Sequence, residues 1–179
     1  MLIAFVVVSS VFAFSALSTG LFATGKAKQT IHAGLGETSG TMEPKGSVSA
    51  TNDVTGSSGY ISDLSFWVAN AAGAQNTDLS PGNTIIKYTD PNQTKTFDDT
   101  VGSTHVATPL GRADSDSFME MGETFEIKLI GIESGGANGL TSNLITNTTF
   151  SLEVIPSVGA VLHLERTTPE WFNVTDNLD

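Results

Sequence analysis

The sequence contains no cysteine among its 179 residues. This absence excludes a thiol nucleophile, a zinc–thiolate site and a disulfide framework. A domain without disulfides relies on its hydrophobic core and on its neighbours for stability. About 150 residues remain after the N-terminal apolar segment, and a single domain of that size can bury a sizeable core.

Basic residues are scarce. The chain has eight Lys and Arg residues against nineteen Asp and Glu residues, a net charge of −11. Lys26 and Lys28 are two of those eight, so the remainder of the chain carries a net charge of −13. A nucleic-acid surface needs stripes of Lys and Arg to neutralise phosphates, so we expect no nucleic-acid partner. The acidic balance indicates a highly soluble outer face.

Charge is absent from the first 25 residues, and Lys26 is the first charged side chain. An uncharged apolar run of about 20 residues is long enough to cross the hydrocarbon core of a bilayer as a helix. Because this helix precedes a polar, acidic body, the layout indicates a chain that is made in a membrane and displayed outside it.

Three interpretations of this segment remain open. A cleaved secretory signal would need a basic start and a shorter apolar core. A simple membrane anchor fits the length and composition. A helix that leaves the bilayer and packs against copies of itself fits the small residues that recur at helical spacing, since small residues allow close approach of helices. These candidate helix-packing residues are Ser9, Ala13, Ala16, Gly20 and Thr24.

Three Asn-x-Thr sequons, at Asn92, Asn147 and Asn173, predict N-glycans and an extracellular body. Lys26 and Lys28 conflict with this orientation, because positive charge marks the cytoplasmic side of a membrane helix. A basic leader removed from the N-terminus would resolve the conflict.

After the apolar segment, hydrophobic residues alternate with polar ones at the period of β-strands. Leu64, Phe66 and Val68 show the pattern, and the runs around residues 125–129, 150–154 and 162–164 repeat it. Turn sequences separate these runs. We therefore predict an α+β chain, with a long hydrophobic helix over residues 1–34 and an all-β immunoglobulin-like sandwich of about seven strands over residues 35–179.

No catalytic constellation is visible in the sequence. His32, His105 and His163 have no neighbours at metal-ligand spacing, and His163 is predicted to point outward from a strand. Acidic residues cluster on either side of one loop, and oxygen ligands of this kind suit a hard cation such as Ca²⁺. The candidate ligands are Asp98, Asp99, Asp114, Asp116, Glu120 and Glu123. A solvated acidic loop is the alternative, and no EF-hand spacing is present.

Both ends of the chain resemble archaellins, the subunits of the archaeal swimming filament. The segment LIAFVVVSSVFAFSALSTGLFATGKAKQT is similar to their N-terminal helix, and the tail FSLEVIPSVGAVLHLERTTPEWF is similar to their C-terminal pattern. The tail residues that carry the likeness are Pro156, Gly159, Ala160, Glu165, Arg166, Thr167 and Pro169. A weaker likeness in the middle includes Asp78 and Leu79.

The resemblance implies a structural filament subunit and no enzyme activity. It implies that a prepilin-type peptidase removes a short basic leader, that the helices bundle as the filament core, and that the sandwich forms the outer sheath. It also implies an assembly ATPase and a membrane platform as partners, a helical homopolymer that other archaellins could join, and membrane insertion only before assembly. The sequence begins without such a leader, so we expect a mature form or a start that lies upstream.

Two alternative functions are also compatible with an N-terminal apolar helix and an extracellular body. A non-motile adhesion pilin would share the helix-plus-sandwich plan. A membrane-anchored extracellular binding module would be a monomer with a concave site. No cofactor is expected, although N-glycans and a bound cation are candidate additions.

Overall fold

The computed structural model describes residues 1–39, 42–71, 76–98 and 104–178, and side chains of residues 36–39 are left out of the description. The chain divides into two compact units, Met1–Glu37 and Thr38–Asp179. The first unit is one helix, and the second contains the β-strands.

The helix α1 spans Leu2–Ser39, a length of 38 residues, or about 57 Å at 1.5 Å per residue. It therefore runs beyond the predicted end at residue 34. The sequence has no proline before Pro44 to force an earlier end. Gly34 weakens a helix by only about 1 kcal/mol relative to alanine, so it does not terminate this one.

The described part of the second unit contains twelve strands. Their bounds are β1 Met42–Pro44, β2 Val48–Val54, β3 Tyr60–Asn70, β4 Thr77–Asp78, β5 Thr84–Thr89, β6 Thr94–Phe97, β7 His105–Leu110, β8 Phe118–Met119, β9 Thr124–Leu129, β10 Thr149–Pro156, β11 Leu162–Thr167 and β12 Thr175–Leu178.

The strands form two sheets and a small ribbon, and all strand pairs are antiparallel. One sheet has the order β12-β2-β3-β9-β7, with β1 also pairing with β3. The other has the order β11-β10-β5-β6, and the ribbon pairs β4 with β8. The prediction of a long apolar helix followed by antiparallel β-structure is confirmed.

One hydrophobic core lies between the two sheets, because a single cluster of buried side chains draws on both. Leu64, Phe66 and Val68 of β3 are almost fully buried, while Ser65 and Trp67 between them are partly exposed. From the second sheet, Tyr88 stacks on Phe150 with ring centroids 5.8 Å apart. The alternation in the sequence thus marks the inward face of each of these strands.

The strand β2 falls in a stretch that the sequence pattern presents as weakly apolar. Its inward positions are Val48, Ala50 and Asn52, so one small and one polar side chain replace the usual large apolar ones. Asn52 is only 6% exposed, and its Nδ2 donates to the carbonyl of Asn173 at 2.7 Å and to Oδ2 of Asp176 at 2.8 Å. These distant hydrogen bonds satisfy the Nδ2 of the buried amide, whereas its Oδ1 is buried without a partner among the described residues, and no local sequence pattern reveals either fact.

Candidate assembly helix and surface sites

The surface of α1 is the largest apolar feature of the described chain. Every side chain from Met1 to Leu35 is exposed, and Phe5, Phe12 and Phe14 are each more than 70% exposed. By length and composition the helix could cross a membrane. Isolated apolar side chains on a protein surface are ordinary, but a continuous run of this length requires a covering.

Apolar side chains surround the helix instead of forming one stripe. Phe5, Val6, Val7 and Val8 are consecutive, and residues in an α-helix are offset by about 100°, so these four alone cover about 300° of the circumference. A helix that is hydrophobic all round is suited to lipid or to the interior of a bundle, and not to lying on a sheet with one face in water.

The small residues predicted to mediate packing form one narrow stripe. At 3.6 residues per turn, Ser9, Ala13, Ala16, Gly20 and Thr24 lie within a sector of about 80°. All five are exposed in the described chain. A Cβ added at Gly20 would meet no described atom within 4 Å beyond the local helix backbone. The stripe therefore offers room for another helix to approach closely.

Several hydroxyl groups of α1 bond to the helix's own backbone. Ser10 donates to the carbonyl of Val7 at 2.8 Å, and Thr19, Thr24 and Thr30 donate to the carbonyls four residues earlier at 2.9, 2.8 and 3.0 Å. Each of these hydroxyls is satisfied without a partner from outside the helix, as is common for Ser and Thr in membrane helices.

The first basic residue follows the apolar run directly. The Nζ of Lys26 lies 5.9 Å from the ring centroid of Phe22 and 3.5 Å from Oε1 of Gln29. The uncharged part of the helix therefore ends at Lys26, and Lys28 and Gln29 follow it in the same helix.

The acidic residues of the candidate cation loop cap backbone turns. Asp114 Oδ1 accepts from the amide of Asp116 at 3.1 Å, and Asp116 Oδ1 accepts from the amide of Phe118 at 2.8 Å. The two carboxylate oxygens of Glu123 accept from the amides of Asp114 and Glu120 at 3.2 and 2.9 Å. Aspartates favour such turns because their side chains bond to backbone amides two residues on.

Another carboxylate of the loop is hydrogen-bonded to a residue outside it. Glu120 Oε1 accepts from Nδ2 of Asn76 at 2.8 Å. Asp98 follows β6, and Asp99 lies outside the described residues. Within the described ranges, no three His, Asp or Glu side chains come together in a way that could hold a metal ion.

The histidines are placed separately. His163 is exposed on β11, as predicted, with its Nδ1 3.9 Å from Oε1 of Glu153. His32 is exposed on α1, whereas His105 is buried on β7. His105 also lines an open cleft of about 210 Å³ with Leu79, Pro81, Val106, Ala107 and Ser117. This lining is mostly apolar and brings a single titratable side chain to the cleft.

A polar network that the sequence analysis does not single out surrounds Asp90, in the turn between β5 and β6. Its Oδ2 accepts from the Tyr88 hydroxyl at 2.7 Å and from Nε2 of Gln93 at 2.9 Å. Partial burial alone would raise the pKa of Asp90, but these hydrogen bonds and those from the amides of Asn92 and Gln93 outweigh it and hold the pKa below its ordinary value. In the sequence, Asp90-Pro91-Asn92 indicates a turn at this position but does not indicate the hydrogen bonds around Asp90.

The three sequon asparagines lie at different turns of the sandwich. Asn92 is in the β5–β6 turn, Asn147 precedes β10 and Asn173 precedes β12. All three residues are exposed overall, but their hydrogen bonding differs.

The described chain combines an exposed apolar helix with two packed antiparallel β-sheets. A sequence model of the archaeal-type flagellin family matches residues 1–166, and the chain belongs to this family. The family consists of structural proteins and not of enzymes, as the resemblance of the two chain ends implies.

Curated relatives agree with this assignment. The chain is 30% identical over 192 residues to a protein described as probable flagellin 2 of Archaeoglobus fulgidus, covering 96% of this chain and 86% of the relative. It is 31% identical over 180 residues to probable flagellin 1 of the same organism, covering 94% and 85%.

Solved structures share the fold. The archaeal flagellum of Methanospirillum hungatei strain JF1 matches with a TM-score of 0.70 at 22% identity, covering 99% of this chain and 93% of that chain. The crystal structure of archaeal flagellin FlaB1 from Methanocaldococcus jannaschii matches with a TM-score of 0.61 at 16% identity, covering 76% of this chain and 95% of that chain.

Proposed function

We propose that this chain is the subunit of an extracellular helical filament used for swimming, and that it polymerises through α1 with the β-sandwich on the filament surface. The observation that carries the proposal is the all-round exposure of an apolar helix in a member of the archaeal-type flagellin family. The fold shared with the M. hungatei flagellum, over nearly the whole chain, supports it.

The energetics favour burial of α1 in a bundle once it leaves lipid. Each Å² of apolar surface removed from water contributes about 25 cal/mol, so burying a helix of this length contributes tens of kcal/mol per subunit before the entropic costs of association. Such a contribution can hold a filament together without covalent links between subunits. Subunits that contact one another head to tail without closing a ring form an open helical polymer.

In this proposal, α1 is surrounded first by lipid and then by other subunits. Before assembly, α1 lies in the membrane, because a bilayer accepts an apolar helix whose backbone hydrogen bonds are internal. After assembly, other copies of α1 replace the lipid. Extraction and assembly then need a prepilin-type peptidase, a membrane platform and an assembly ATPase, and other archaellins are further candidate neighbours in the polymer.

Electron cryo-microscopy of filaments sheared from cells, with mass spectrometry of the subunit, tests this proposal. We expect a thin filament with a core of bundled helices, and density that fits this chain. The mass of the N-terminal peptide would locate the processing site. Sheared filaments without this chain, together with a monomer retained in the membrane fraction, would contradict the proposal and favour an anchored binding module.

The phenotype of a gene deletion distinguishes a swimming filament from an adhesion pilin. We expect the deletion strain to lose swimming in soft agar while attaching to surfaces normally, and re-expression of the chain to restore swimming. Loss of attachment with intact swimming would favour the adhesion pilin.

A further inference from the structure

Trp171 is an exposed aromatic side chain on a fixed base. It is 59% exposed, whereas the next residue, Phe172, is fully buried in the core. The amide of Gly56 donates to the carbonyl of Phe172 at 2.8 Å, and the amide of Phe172 donates to the carbonyl of Gly56 at 3.2 Å. A Cβ added at Gly56 would lie 3.9 Å from Cζ2 and Cη2 of the indole, so part of the ring lies over this glycine. The position of Trp171 is therefore set by the fold, although most of its surface is in solvent.

Such an exposed tryptophan is typical of a protein–protein contact. Tryptophan is highly buried on average, and at interfaces it is enriched among the residues that contribute most to binding. Within the ranges that the structure describes, the indole Nε1 of Trp171 donates no hydrogen bond. Val174, three residues further on, is also exposed. Trp171 thus has the properties of an interface residue whose partner lies outside this chain.

The cleft beside β7 has a lining that suits an aromatic ring. It lies at an edge of the larger sheet, because β7 ends the strand order β12-β2-β3-β9-β7. Its volume is about 210 Å³, and its apolar walls include Leu79, Val106 and Ala107. Ser117 also lines it, and a hydroxyl there can accept a hydrogen bond from an indole N–H.

The wall of the cleft opposite β7 is held in place by hydrogen bonds. Asp78 Oδ1 accepts from the amide of Ser80 at 2.8 Å, and its Oδ2 accepts from Nδ2 of Asn83 at 2.8 Å. The amide of Leu79 donates to the carbonyl of Ser117 at 2.9 Å. Because this wall is already ordered, a side chain that enters the cleft pays little entropy for arranging it.

Trp171 and the cleft are too far apart to meet within one chain. His105, which lines the cleft, lies in the same row across the sheet as Ala50 of β2, through pairs in β9 and β3. Gly56, under the Trp171 ring, follows Ala50 by six residues. At about 3.3 Å per residue and about 4.8 Å between strands, the separation is about 20 Å along the strands and about 14 Å across them.

We propose that Trp171 of one subunit inserts into the cleft lined by Leu79, Val106 and Ala107 of a second copy of this chain. The contact joins two different surfaces, so it leaves a free cleft on one subunit and a free Trp171 on the other. Repetition of such a head-to-tail contact without closure extends an open helical polymer.

This contact rests on the proposed function, because a single side chain in a cleft buries far less than the roughly 1,000 Å² expected of a stable interface. Association of α1 brings the sandwiches together, and Trp171 then determines which of their surfaces meet. The indole N–H has the Ser117 hydroxyl of the second copy as its acceptor.

The absence of cysteine from the wild-type chain allows a crosslinking test in assembled filaments. We expect the double variant Glu170→Cys, Val106→Cys, treated with a short bismaleimide, to give a ladder of covalent oligomers on a denaturing gel. Each copy then carries one thiol next to Trp171 and one at the cleft, so crosslinks propagate from subunit to subunit. Neither single variant should give a ladder.

A matched control uses the exposed Thr96 on β6 of the other sheet. We expect the double variant Glu170→Cys, Thr96→Cys to give no ladder under the same conditions. Filaments in which the Val106→Cys pair gives no ladder, or in which only the Thr96→Cys pair does, would overturn the proposed contact.

Fluorescence of Trp171 gives a second measurement that does not depend on crosslinking. The chain has two tryptophans, so Trp67→Phe leaves Trp171 as the only one. We expect acrylamide to quench Trp171 in the unassembled subunit in detergent and to quench it much less in filaments. Equal quenching in both states would overturn the insertion of the ring.

Filament stability distinguishes Trp171 from its exposed neighbour Val174. We expect Trp171→Ala to lower the temperature at which filaments dissociate and Val174→Ala to leave it unchanged, with the melting temperature of each unassembled subunit measured as a check on folding. Unchanged filaments from Trp171→Ala would contradict the contact but leave the filament function intact. Failure of the wild-type chain to form filaments would refute both proposals.

Discussion

Asp90 shows how one side chain can organise several turns. Its carboxylate receives hydrogen bonds from the Tyr88 hydroxyl, from the Gln93 side chain and from two backbone amides. Through Gln93 the same network reaches Thr141 and Ser142, nearly fifty residues away. Hydrogen bonds of this kind favour the ionised carboxylate, which is why its pKa is lowered in the fold.

The stability of the sandwich should therefore depend on acid. Asp90 and Asp78 both have lowered pKa values in the folded state, since hydrogen bonds from Ser80 and Asn83 outweigh partial burial at Asp78. The folded state binds these protons less readily than the unfolded chain, so the free energy of unfolding should be highest above the ordinary carboxyl pKa of about 4 and should fall as the pH drops through the folded pKa values.

Asp90→Asn tests this at one residue. The new amide cannot accept from Gln93 with its nitrogen, so we expect a loss of about 2 kcal/mol of unfolding free energy at pH 7. The dependence on acid should also become shallower, with the Asp78 contribution remaining. Urea unfolding of the full chain in detergent, followed by tryptophan fluorescence between pH 2 and 7, measures both quantities. Identical pH profiles for the variant and the wild-type chain would contradict this account of Asp90.

At the scale of single elements, α1 depends on its surroundings more than any strand does. Apolar side chains surround it, and the residues of the stripe from Ser9 to Thr24 have small side chains. Close approach of two helices along such a face brings their backbones together and increases van der Waals contact. The size of the residue at Gly20 should therefore control assembly.

We expect Gly20→Leu to block filament assembly and Gly20→Ala to permit it. Both substitutions replace glycine with a better helix former, and neither side chain has a described neighbour at its Cβ within the chain itself. They differ in bulk, so a difference between them would come from contacts between subunits. Sedimentation of sheared filaments measures assembly, and circular dichroism of the unassembled subunit checks that the sandwich remains folded. Normal filaments from Gly20→Leu would argue against packing along this stripe.

The sequence predicts some elements better than others, for physical reasons. The alternation in β3, β9, β10 and β11 is clear because each presents large apolar side chains to one core. By contrast, β2 buries Ala50 and Asn52, and β12 contributes a single buried residue, Leu178. These strands are held by pairing with partners distant in sequence, and Asn173 and Asp176 accept hydrogen bonds from the Nδ2 of Asn52.

The candidate sites also differ in how much of them the local sequence predicts. A sequon is a local pattern, so the sequence alone identifies Asn92, Asn147 and Asn173. The sequence does not show that Asn173 is bonded to Asp176, because that depends on how β12 pairs with β2. Likewise, the sequence does not show that the carboxylates of Asp114, Asp116 and Glu123 accept hydrogen bonds from backbone amides of their own loop.

At the scale of the whole molecule, negative charge opposes the association proposed for α1. Each copy carries a net charge of −11. Like-charged surfaces repel over about 30 Å at 0.01 M ionic strength but over only about 8 Å at 0.15 M. Neighbouring sandwiches in a filament should therefore repel one another most strongly in dilute buffer.

We expect the temperature at which filaments dissociate to rise with NaCl concentration between 10 and 500 mM. The double variant Asp114→Asn, Asp116→Asn should show a weaker dependence, since it changes the net charge from −11 to −9 and so reduces its magnitude, while asparagine can still cap both turns. Calorimetry of purified filaments measures both. A dissociation temperature that does not change with salt would show that repulsion between sandwiches is negligible.

The hydroxyls of Ser10, Thr19, Thr24 and Thr30 have a consequence for how a filament can grow. Each is bonded to the helix that bears it, so none of these four groups has to exchange partners when lipid is replaced by protein around α1. These hydrogen bonds are internal to the helix, so they do not depend on whether lipid or protein surrounds it. If α1 moves from lipid into a filament as proposed, these four hydrogen bonds need not be broken, and the change lies in the packing of its apolar side chains.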